Sequence, residues 1–296
     1  FTGRINLSMS NHALSDFENA LTSNDFSFGF KVDSDQRTVE FYGYRHVNAS
    51  QRPKLYVTYS TVEHLLYDGN GNMIKGFGKL MAYDGFNRLV EVNDSTTNKI
   101  IAQYWYDHEG QRIKKVEYNI DTQKNNRSTY YIDDFVHTRL TNGTIFNETY
   151  IKANGKILAR IDNDGRVFYY HPDHLGSTTL VTNESGGVVE EVFYLPYGNT
   201  LVGSDDDRFL FTGKEKDKDT GFYYYGARYY DSNFRHFIQP DPSIPDLYNP
   251  QYLNRYAYVL NNPYKYIDPN GLWAVQVGLV GTGTYAIPGI SPMLGG

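Results

Sequence analysis

Apolar and polar residues alternate with a period of two in short runs along most of the chain. The first 60 residues contain three such runs, at residues 26–32, 39–44 and 54–59. A period of two places successive side chains on opposite faces of a β-strand, and the Gly, Asp and Asn between the runs are typical of turns. The pattern therefore predicts an all-β fold built from short strands.

A second pattern starts at Tyr67 and recurs along the chain. Each copy has an aromatic or β-branched residue, then a polar turn with Asp or Asn near Gly, then a strand that opens with apolar residues. Clear copies begin at Tyr67, Tyr83 and Tyr106, and weaker copies begin at Ile161 and Thr182. Asp or Asn with Gly supplies the positive φ angles of a tight hairpin, and a short repeat period is typical of one extended sheet. The chain is therefore predicted to be an array of successive hairpins.

Composition narrows the possible classes of function. The 296 residues include 28 Tyr and 17 Phe, which favours sheets with half-exposed faces, and no Cys, which excludes disulfides, thiolate metal sites and a cysteine nucleophile. The net charge of −6 provides no basic surface for nucleic acid. No apolar run is long enough to span a membrane, and no motif indicates a cofactor. The chain starts and ends within patterns, so we expect it to be a piece of a longer protein.

The recurring turn and the C-terminal third of the chain resemble a known family. The unit Tyr-Asp-x-x-Gly-x-(Arg)-Leu/Ile resembles the YD repeat of Rhs-type polymorphic toxins, of the C component of Tc toxins and of teneurins. Five ordered motifs between residues 170 and 273 resemble the Rhs-repeat-associated core, among them Phe-Thr-Gly-Lys-Glu at 211–215 and Tyr-Tyr-Tyr-Gly-Ala-Arg-Tyr-Tyr at 223–230. The motif residues to which the resemblance gives a structural role are Tyr170, His171, His174, Gly176, Tyr225, Gly226, Arg228, Tyr229, Pro263, Pro269 and Gly271.

The resemblance implies four segments. Residues 1–60 form a partial β-sandwich-like unit, because residues 52–59 resemble the closing strand of carbohydrate-binding-module-like sandwiches. Residues 61–169 form YD-repeat hairpins, residues 170–273 form the core, and residues 274–296 begin a C-terminal effector or a linker. In this family the hairpins coil into part of a β-shell, and we expect repeats upstream of this chain to supply most of the wall.

Asp268 opens the most informative motif, Asp-Pro-Asn-Gly-Leu272, which is followed by Trp273. These residues suit a type I turn with Pro at the second position and Gly at the fourth. The resemblance implies a further role, because in the family the Asp of this motif is needed for self-cleavage after the Leu. The chain would then be an aspartyl autoprotease that acts only on itself, between Leu272 and Trp273. The two roles are compatible, since a stiff turn can present a scissile bond.

An aspartate that cuts a peptide bond needs a second carboxyl. Two close carboxyls share one proton, so one can activate water and the other can protonate the leaving amide. Asp241 and Asp246 are the nearest upstream carboxylates, and both adjoin proline. Asp241 is favoured because it lies in a core motif, and Asp246 is the alternative. Arg255 is a candidate to orient or polarise one of these groups.

Other charged positions have structural interpretations. His171 and His174, with Asp173 between them, have no third His or Cys beside them, so we expect hydrogen bonds to the turn and to the next repeat rather than a metal site. The charges of residues 214–219 cancel, which favours a solvated turn. Arg228 lies among tyrosines, where a guanidinium stacks on rings and, if buried, needs a carboxylate partner.

Two functions fit these observations. In the first, the chain is the C-terminal part of a shell that encloses its own C-terminal effector, joins shell repeats upstream and cuts the effector free after Leu272. In the second, it is a surface adhesion or scaffold protein that binds glycans through its N-terminal unit and is not cleaved. Both predict a secreted or cell-surface protein, which fits the seven Asn-x-Ser/Thr sequons. The sequons are at Asn6, Asn48, Asn93, Asn126, Asn142, Asn147 and Asn183.

Overall fold

The computed structural model divides the chain into two compact units, Phe1–Glu63 and His64–Gly296. Four stretches are described in full, together with the backbone of four strands outside them. Asp246, one of the predicted site residues, lies outside the described residues. The four stretches are residues 64–118, 126–153, 155–242 and 248–277.

The first unit contains a three-stranded antiparallel sheet in the order β1–β2–β3. All three strands fall on the predicted runs, as expected for segments in which apolar and polar residues alternate with a period of two. That this sheet belongs to a β-sandwich stays a prediction. The strands are β1 (Phe28–Val32), β2 (Thr38–Gly43) and β3 (Lys54–Thr58).

The repeat region folds into one fourteen-stranded antiparallel sheet, in which each strand pairs with its neighbours in the sequence. The predictions of an all-β fold and of successive hairpins are therefore confirmed. The strands are β4 (Leu66–Tyr67), β5 (Met73–Gly76), β6 (Lys79–Tyr83), β7 (Leu89–Asp94), β8 (Ile100–Tyr106), β9 (Arg112–Glu117), β10 (Arg127–Ile132), β11 (Phe135–Leu140), β12 (Ile145–Ala153), β13 (Lys156–Asp162), β14 (Val167–Pro172), β15 (Thr178–Asn183), β16 (Val188–Tyr194) and β17 (Thr200–Gly203).

One type of turn joins many of these strands, and Asp107 shows its geometry. The Asp107 backbone N–H donates to the Gln111 carbonyl at 2.9 Å, and Gly110 N–H donates back to the Asp107 carbonyl at 3.3 Å. Oδ1 of Asp107 accepts from the N–H groups of Glu109 and Gln111 at 2.9 and 2.8 Å. Gly110 has a φ of 84°, which is costly for other residues. The same carboxylate- or amide-capped turn recurs at Asp68, Asp84, Asp173 and Asn183.

Residues 205–242 and 248–277, here called the core segment, pack against the fourteen-stranded sheet. Tyr229 and Ile238 of this segment share a buried cluster with Met73 and Tyr104 of the sheet. The longest helix among the described residues has four residues, and none is long enough to cross a membrane. The remaining strands and the α-helix are β18 (Glu215–Lys216), β19 (Tyr223–Tyr224), β20 (Tyr229–Asp231), β21 (His236–Phe237), α1 (Pro250–Leu253), β22 (Tyr266–Ile267), β23 (Val275–Val277) and β24 (Thr284–Ala286). Two short 3-10 helices lie at Phe211–Gly213 and Val259–Asn261.

Five tyrosines among eight residues cannot all face water, which predicts that the stretch 223–230 is one strand buried against neighbouring hairpins. The stretch is a hairpin, so the expectation of a single strand there is wrong. Gly226 has a φ of 95°, and the N–H of Tyr225 donates to the carbonyl of Arg228 at 3.0 Å, which reverses the chain between β19 and β20. The predicted burial is confirmed: four of the five tyrosines are at most 1% exposed. Glycine allows the tight turn that brings both arms into the core.

The charged stretch 214–219 also differs from its prediction. Two of its carboxylates, Glu215 and Asp217, are only 4% and 0% exposed, so the expectation of a solvated turn is wrong. Arg112 contacts each of them at 2.7 Å, and Lys115 contacts them at 3.0 and 2.7 Å. Arg112 and Lys115 come from β9 of the large sheet. The negative charges of Glu215 and Asp217 are therefore paired with cations from another part of the chain rather than with their sequence neighbours.

This buried charge cluster joins the core segment to the sheet. Burial by itself raises the pKa of Glu215, but Lys115, Arg112 and Arg208 outweigh burial and hold that pKa well below its ordinary value. Arg208 also bonds Glu148 of β12. Removing one partner of a buried pair leaves the other charged and unpaired, which is strongly destabilising.

Replacing Tyr225 with Ala should lower the free energy of unfolding by about 3 to 5 kcal/mol, because the ring is 1% exposed and packs edge-on against Tyr230, Phe237 and Tyr258. Chemical denaturation followed by circular dichroism measures the change. Tyr264→Ala is the control, since Tyr264 is 64% exposed and its loss should change stability by less than about 0.5 kcal/mol. Equal effects of the two variants would contradict the packing.

Glu215→Gln should cost about 3 to 5 kcal/mol near neutral pH, because Arg112 and Lys115 lose a buried charge partner. Since the pKa of Glu215 is lowered on folding, the parent's stability is present above the ordinary Glu pKa and declines as pH falls below it. The variant should show a flatter acid dependence in denaturation curves taken at several pH values. Glu109→Gln, at an exposed side chain, should leave that dependence unchanged.

Candidate functional site

Asp268 caps its own turn with a side-chain oxygen, as the aspartates of the repeat turns do. Its Oδ1 accepts from the backbone N–H groups of Asn270 at 3.3 Å, Gly271 at 2.7 Å and Leu272 at 3.1 Å. Gly271 has a φ of 79°, as the glycine of a repeat turn does. The Asp-Pro-Asn-Gly-Leu motif therefore forms a turn whose aspartate directly holds the residue before the predicted scissile bond.

Two glycines let this turn pack backbone to backbone on the tyrosine hairpin. Ala227 N–H donates to the carbonyl of Asn270 at 3.0 Å. A Cβ added at Gly226 would lie 3.1 Å from the Asn270 oxygen, and one added at Gly271 would lie 3.0 Å from the Arg228 nitrogen. Only glycine at both positions accommodates this approach without displacement. The contact brings the Arg228 side chain to the turn.

Arg228 is the centre of the site. Its guanidinium stacks on the Phe237 ring at 3.7 Å from the centroid, and the residue is 4% exposed. One terminal nitrogen, Nη2, lies 3.1 Å from Oδ2 of Asp241 and 3.3 Å from Oδ2 of Asp268. The other, Nη1, donates to the carbonyl of Arg255 at 3.0 Å. The expectation of ring stacking and a carboxylate partner for Arg228 agrees with this geometry, although the ring belongs to phenylalanine.

The structure thus brings Asp241 and Asp268 together through a shared cation. Because both carboxylates contact the same nitrogen, their oxygens lie within two hydrogen-bond lengths of each other. Arg255 contacts the main chain of Asp241: its Nε donates to the Asp241 carbonyl at 2.6 Å, and Asp241 N–H donates to the Arg255 carbonyl at 2.8 Å. These two bonds hold the backbone that carries Asp241.

Burial makes the pKa of Asp268 differ from that of an ordinary aspartate. Burial raises the pKa of Asp268, and the Arg228 cation and the Gly271 N–H offset that rise only in part. Burial also lowers the pKa of Arg228, against the pull of Asp268 and Asp241. A raised pKa keeps Asp268 protonated to higher pH than usual, which suits a group that donates a proton.

The bond between Leu272 and Trp273 lies beside these groups. Because the Leu272 nitrogen is 3.1 Å from Oδ1 of Asp268, standard backbone dimensions place the Leu272 carbonyl carbon at most about 6 Å from that oxygen. A cavity of about 30 Å³ is lined by Asp241, Asp268, Leu272 and Trp273. Such a volume can hold a water molecule with polar partners.

Each of the two predicted histidines hydrogen-bonds a neighbouring element. His171 Nε2 hydrogen-bonds Thr182 of the next strand at 3.0 Å, and His174 Nε2 lies 3.3 Å from the Tyr264 carbonyl. Both contacts fit the expected hydrogen bonding to neighbouring elements. Among the residues that the structure describes, no group of three or more His, Asp or Glu side chains could hold a metal ion.

The other motif residues lie around the site or in the core. Tyr170 is buried in β14 and its hydroxyl donates to Asp207 at 2.6 Å, while Gly176 has a φ of 88° in the Asp173 turn. The Tyr229 hydroxyl lies 3.0 Å from that of Tyr106, Pro263 is buried and Pro269 is exposed. Sequence reasoning did not link Arg228 to Asp268, because the contact spans 40 residues. A lone arginine in an aromatic segment was the only signal.

Comparison with known proteins places the chain among relatives. A family model described as Teneurin YD-shell matches residues 51–264. This chain belongs to the teneurin YD-shell family. The tRNA3(Ser)-specific nuclease WapA of Bacillus spizizenii is 29% identical to this YD-shell chain over 267 residues, which cover 87% of the chain and 11% of that protein. Salivary gland surface protein 1 of Aedes aegypti is 32% identical over 238 residues, which cover 73% of the chain and 7% of that protein.

A solved structure shares the YD-shell fold. The Tc holotoxin pore of Photorhabdus luminescens superposes with a TM-score of 0.63 at 19% identity, over 83% of this chain and 13% of that one. At that identity the likeness shows the fold alone. The chain spans no more than 13% of the length of each of these three proteins.

Gly271→Ala tests the close packing of the site turn. Gly165→Ala is a matched control, because Gly165 also has a positive φ of 83° but nothing within 4 Å of an added Cβ. Gly165→Ala should cost about 1 to 2 kcal/mol of stability from the φ angle alone. Gly271→Ala should cost about 1 to 3 kcal/mol more, since its Cβ meets the backbone of Arg228 and Tyr225. Equal losses in thermal or denaturant unfolding would contradict the backbone contact.

Proposed function

We propose that this part of a YD shell cuts its own chain after Leu272 and frees the segment that follows. The observation that carries the proposal is the double role of Asp268: its carboxylate holds the Leu272 N–H and shares Arg228 with Asp241. A carboxyl pair beside a peptide bond, with space for water, is the arrangement that acid–base hydrolysis of an amide needs.

The proposed reaction divides the work between the two aspartates. Water in the small cavity attacks the Leu272 carbonyl carbon, and Asp241 takes its proton. Asp268 in its protonated form, which the raised pKa favours, gives a proton to the Trp273 nitrogen as the carbon–nitrogen bond breaks. The products are a Leu272 carboxyl group and a Trp273 amine. Arg228 and Arg255 position the pair, Arg228 through its guanidinium and Arg255 through the Asp241 main chain.

The proposed shell extends beyond this chain. The fourteen-stranded sheet ends at β4 and β17, and a sheet edge presents backbone N–H and C=O groups that another strand can pair with. Further YD repeats of a longer protein would continue the wall at these edges. The relative named as a tRNA nuclease matches this chain over only 11% of its own length, which supports a separate effector in a longer protein. We infer a secreted or cell-surface location from the similarity to a relative named as a salivary gland surface protein.

Asp268→Asn should abolish cleavage after Leu272, because it removes the titratable proton but keeps the shape of the turn. Asp241→Asn should do the same. Intact-mass measurement and denaturing gels of freshly purified protein would show two fragments for the parent and one full-length chain for each variant. Stability of Asp268→Asn should stay within about 1 kcal/mol of the parent, since Asp241 still faces Arg228.

Asp107→Asn is the matched control, because Asp107 caps the same type of turn far along the sequence from Leu272. It should be cleaved as the parent is, and so should Asp246→Asn. In the parent, cleavage should slow as pH rises through the raised pKa of Asp268, because the proton donor is then lost. A parent that stays intact from about pH 4 to 8 would exclude self-cleavage and favour the adhesion protein.

A further inference from the structure

Lys214, in the motif Phe-Thr-Gly-Lys-Glu at residues 211–215, contacts the turn that carries Asp268. Its Nζ donates to the carbonyl of Pro269, the residue after Asp268, at 2.5 Å, and lies 5.4 Å from the centroid of the Tyr225 ring. The contact with Pro269 joins residues 55 positions apart in the sequence. The sequence predicts a solvated turn for this lysine, but the residue is half-buried. The reaction proposed above does not use it.

The carbonyls of residues 269–271, in the site turn (residues 268–272), all accept hydrogen bonds from outside the turn. The donors, in the order of the carbonyls, are Nζ of Lys214 at 2.5 Å, the backbone N–H of Ala227 at 3.0 Å and Nε of Arg228 at 2.5 Å. Ala227 and Arg228 both belong to the tyrosine hairpin. Lys214 belongs to a different motif, so it ties the site turn to a second part of the core segment.

The backbone of Lys214 is itself fixed. Its N–H donates to the Phe211 carbonyl at 3.0 Å, and its carbonyl accepts from the Leu210 N–H at 2.9 Å. The next residue, Glu215, is buried and pairs with the cations of β9. Lys214 has extended backbone angles, in which successive side chains point to opposite sides. Glu215 is therefore held in the buried charge cluster while Lys214 faces the site turn.

Lys214 also acts on the charge of Asp268. Burial raises the pKa of Asp268, and Lys214 opposes that rise, as Arg228 does, because a nearby cation favours the carboxylate. Burial lowers the pKa of Lys214, and the carboxylate of Asp268 opposes that change in turn. The two side chains therefore favour each other's charged form.

Other titratable groups lie around the pair of Lys214 and Asp268. Asp241 contacts the same guanidinium nitrogen as Asp268 does. Burial raises the pKa of Tyr258, so its hydroxyl stays neutral. Lys152 is a like charge for Lys214 and pairs with a carboxylate of its own. Replacing Lys214 leaves all of these groups in place, so the effect of its charge can be measured separately.

We propose that Lys214 is a positioning residue of the self-cleavage site, which anchors the site turn and stabilises the Asp268 carboxylate. This role rests on the proposed function, since it assigns Lys214 to the cleavage reaction. Lys214 and Glu215 are adjacent, so support of the site turn is tied to the docking of the core segment on the sheet. A core segment that is not docked would leave the turn without this anchor.

Amide hydrogen exchange tests the anchor without requiring cleavage. In complete chains that carry Asp241→Asn, the N–H groups of residues 270–272 should exchange about tenfold or more faster when Lys214→Met is added, because Met has a similar length but no donor. Lys214→Arg should keep the slower rate. Circular dichroism checks that Lys214→Met folds, which we expect because Pro269 is exposed and water can replace the lost donor.

Lys218→Met is the matched control, because Lys218 lies in the same charged stretch but donates to the Asp206 carbonyl. It should leave exchange at residues 270–272 unchanged. In chains that are cleaved, Lys214→Met should slow cleavage and move its decline to higher pH, because loss of a cation raises the pKa of the proton donor Asp268. Lys214→Arg and Lys218→Met should keep the pH dependence of the parent.

Two results would overturn the role of Lys214. One is exchange at residues 270–272 that Lys214→Met leaves unchanged, and the other is cleavage that is slowed without any movement of its pH dependence. A parent chain that is never cut would contradict the proposed function instead. The exchange measurement would still decide whether Lys214 anchors the site turn, so the two failures are distinguishable.

Discussion

The sheet and the site both depend on one hydrogen-bonded unit, a turn capped by an Asp or Asn side chain. A tight hairpin leaves backbone N–H groups pointing into the turn, and the side-chain oxygen accepts two of them while glycine supplies the positive φ angle. The Asp107 turn shows this unit inside the sheet, and the Asp268 turn shows it in the core segment. The residue proposed to cut the chain therefore lies in a turn that is capped in the same way as the turns that join the strands.

Placement of the core segment rests on buried charge. Arg112 and Lys115 of the sheet meet Glu215 and Asp217 of the core segment, with each of the four side chains almost fully buried. Such a cluster is weak evidence for stability, because desolvation offsets much of the attraction. We infer that its effect is on register: a shifted segment would leave several charges unpaired. Arg228 lies in the same segment, so correct seating of the cluster also sets the position of the candidate site.

Local sequence patterns predicted the structural features that depend on residues close in the sequence. Period two and the Asp–Gly turns were sufficient for the hairpins, since each strand pairs with the next one in sequence. They failed at residues 214–219, where the charges cancel locally but Glu215 and Asp217 pair with residues about 100 positions away. The single strand expected at 223–230 failed because Gly226 permits a reversal that alternation does not reveal. Asp241 and Asp268 were chosen from motifs, but their link through Arg228 depends on tertiary packing.

The strictly sequential order of the strands has a consequence for the order of folding events. Each hairpin can form as soon as its own residues are available, since its contacts are local, and local contacts form fast. The contact between Arg228 and Asp268 is different, because it joins residues 40 positions apart in the sequence and needs the last part of the core segment to be in place. Under the proposed function, the cutting groups meet only at the end of this process. Cleavage would then act as a checkpoint that releases the following segment only from chains that have finished folding.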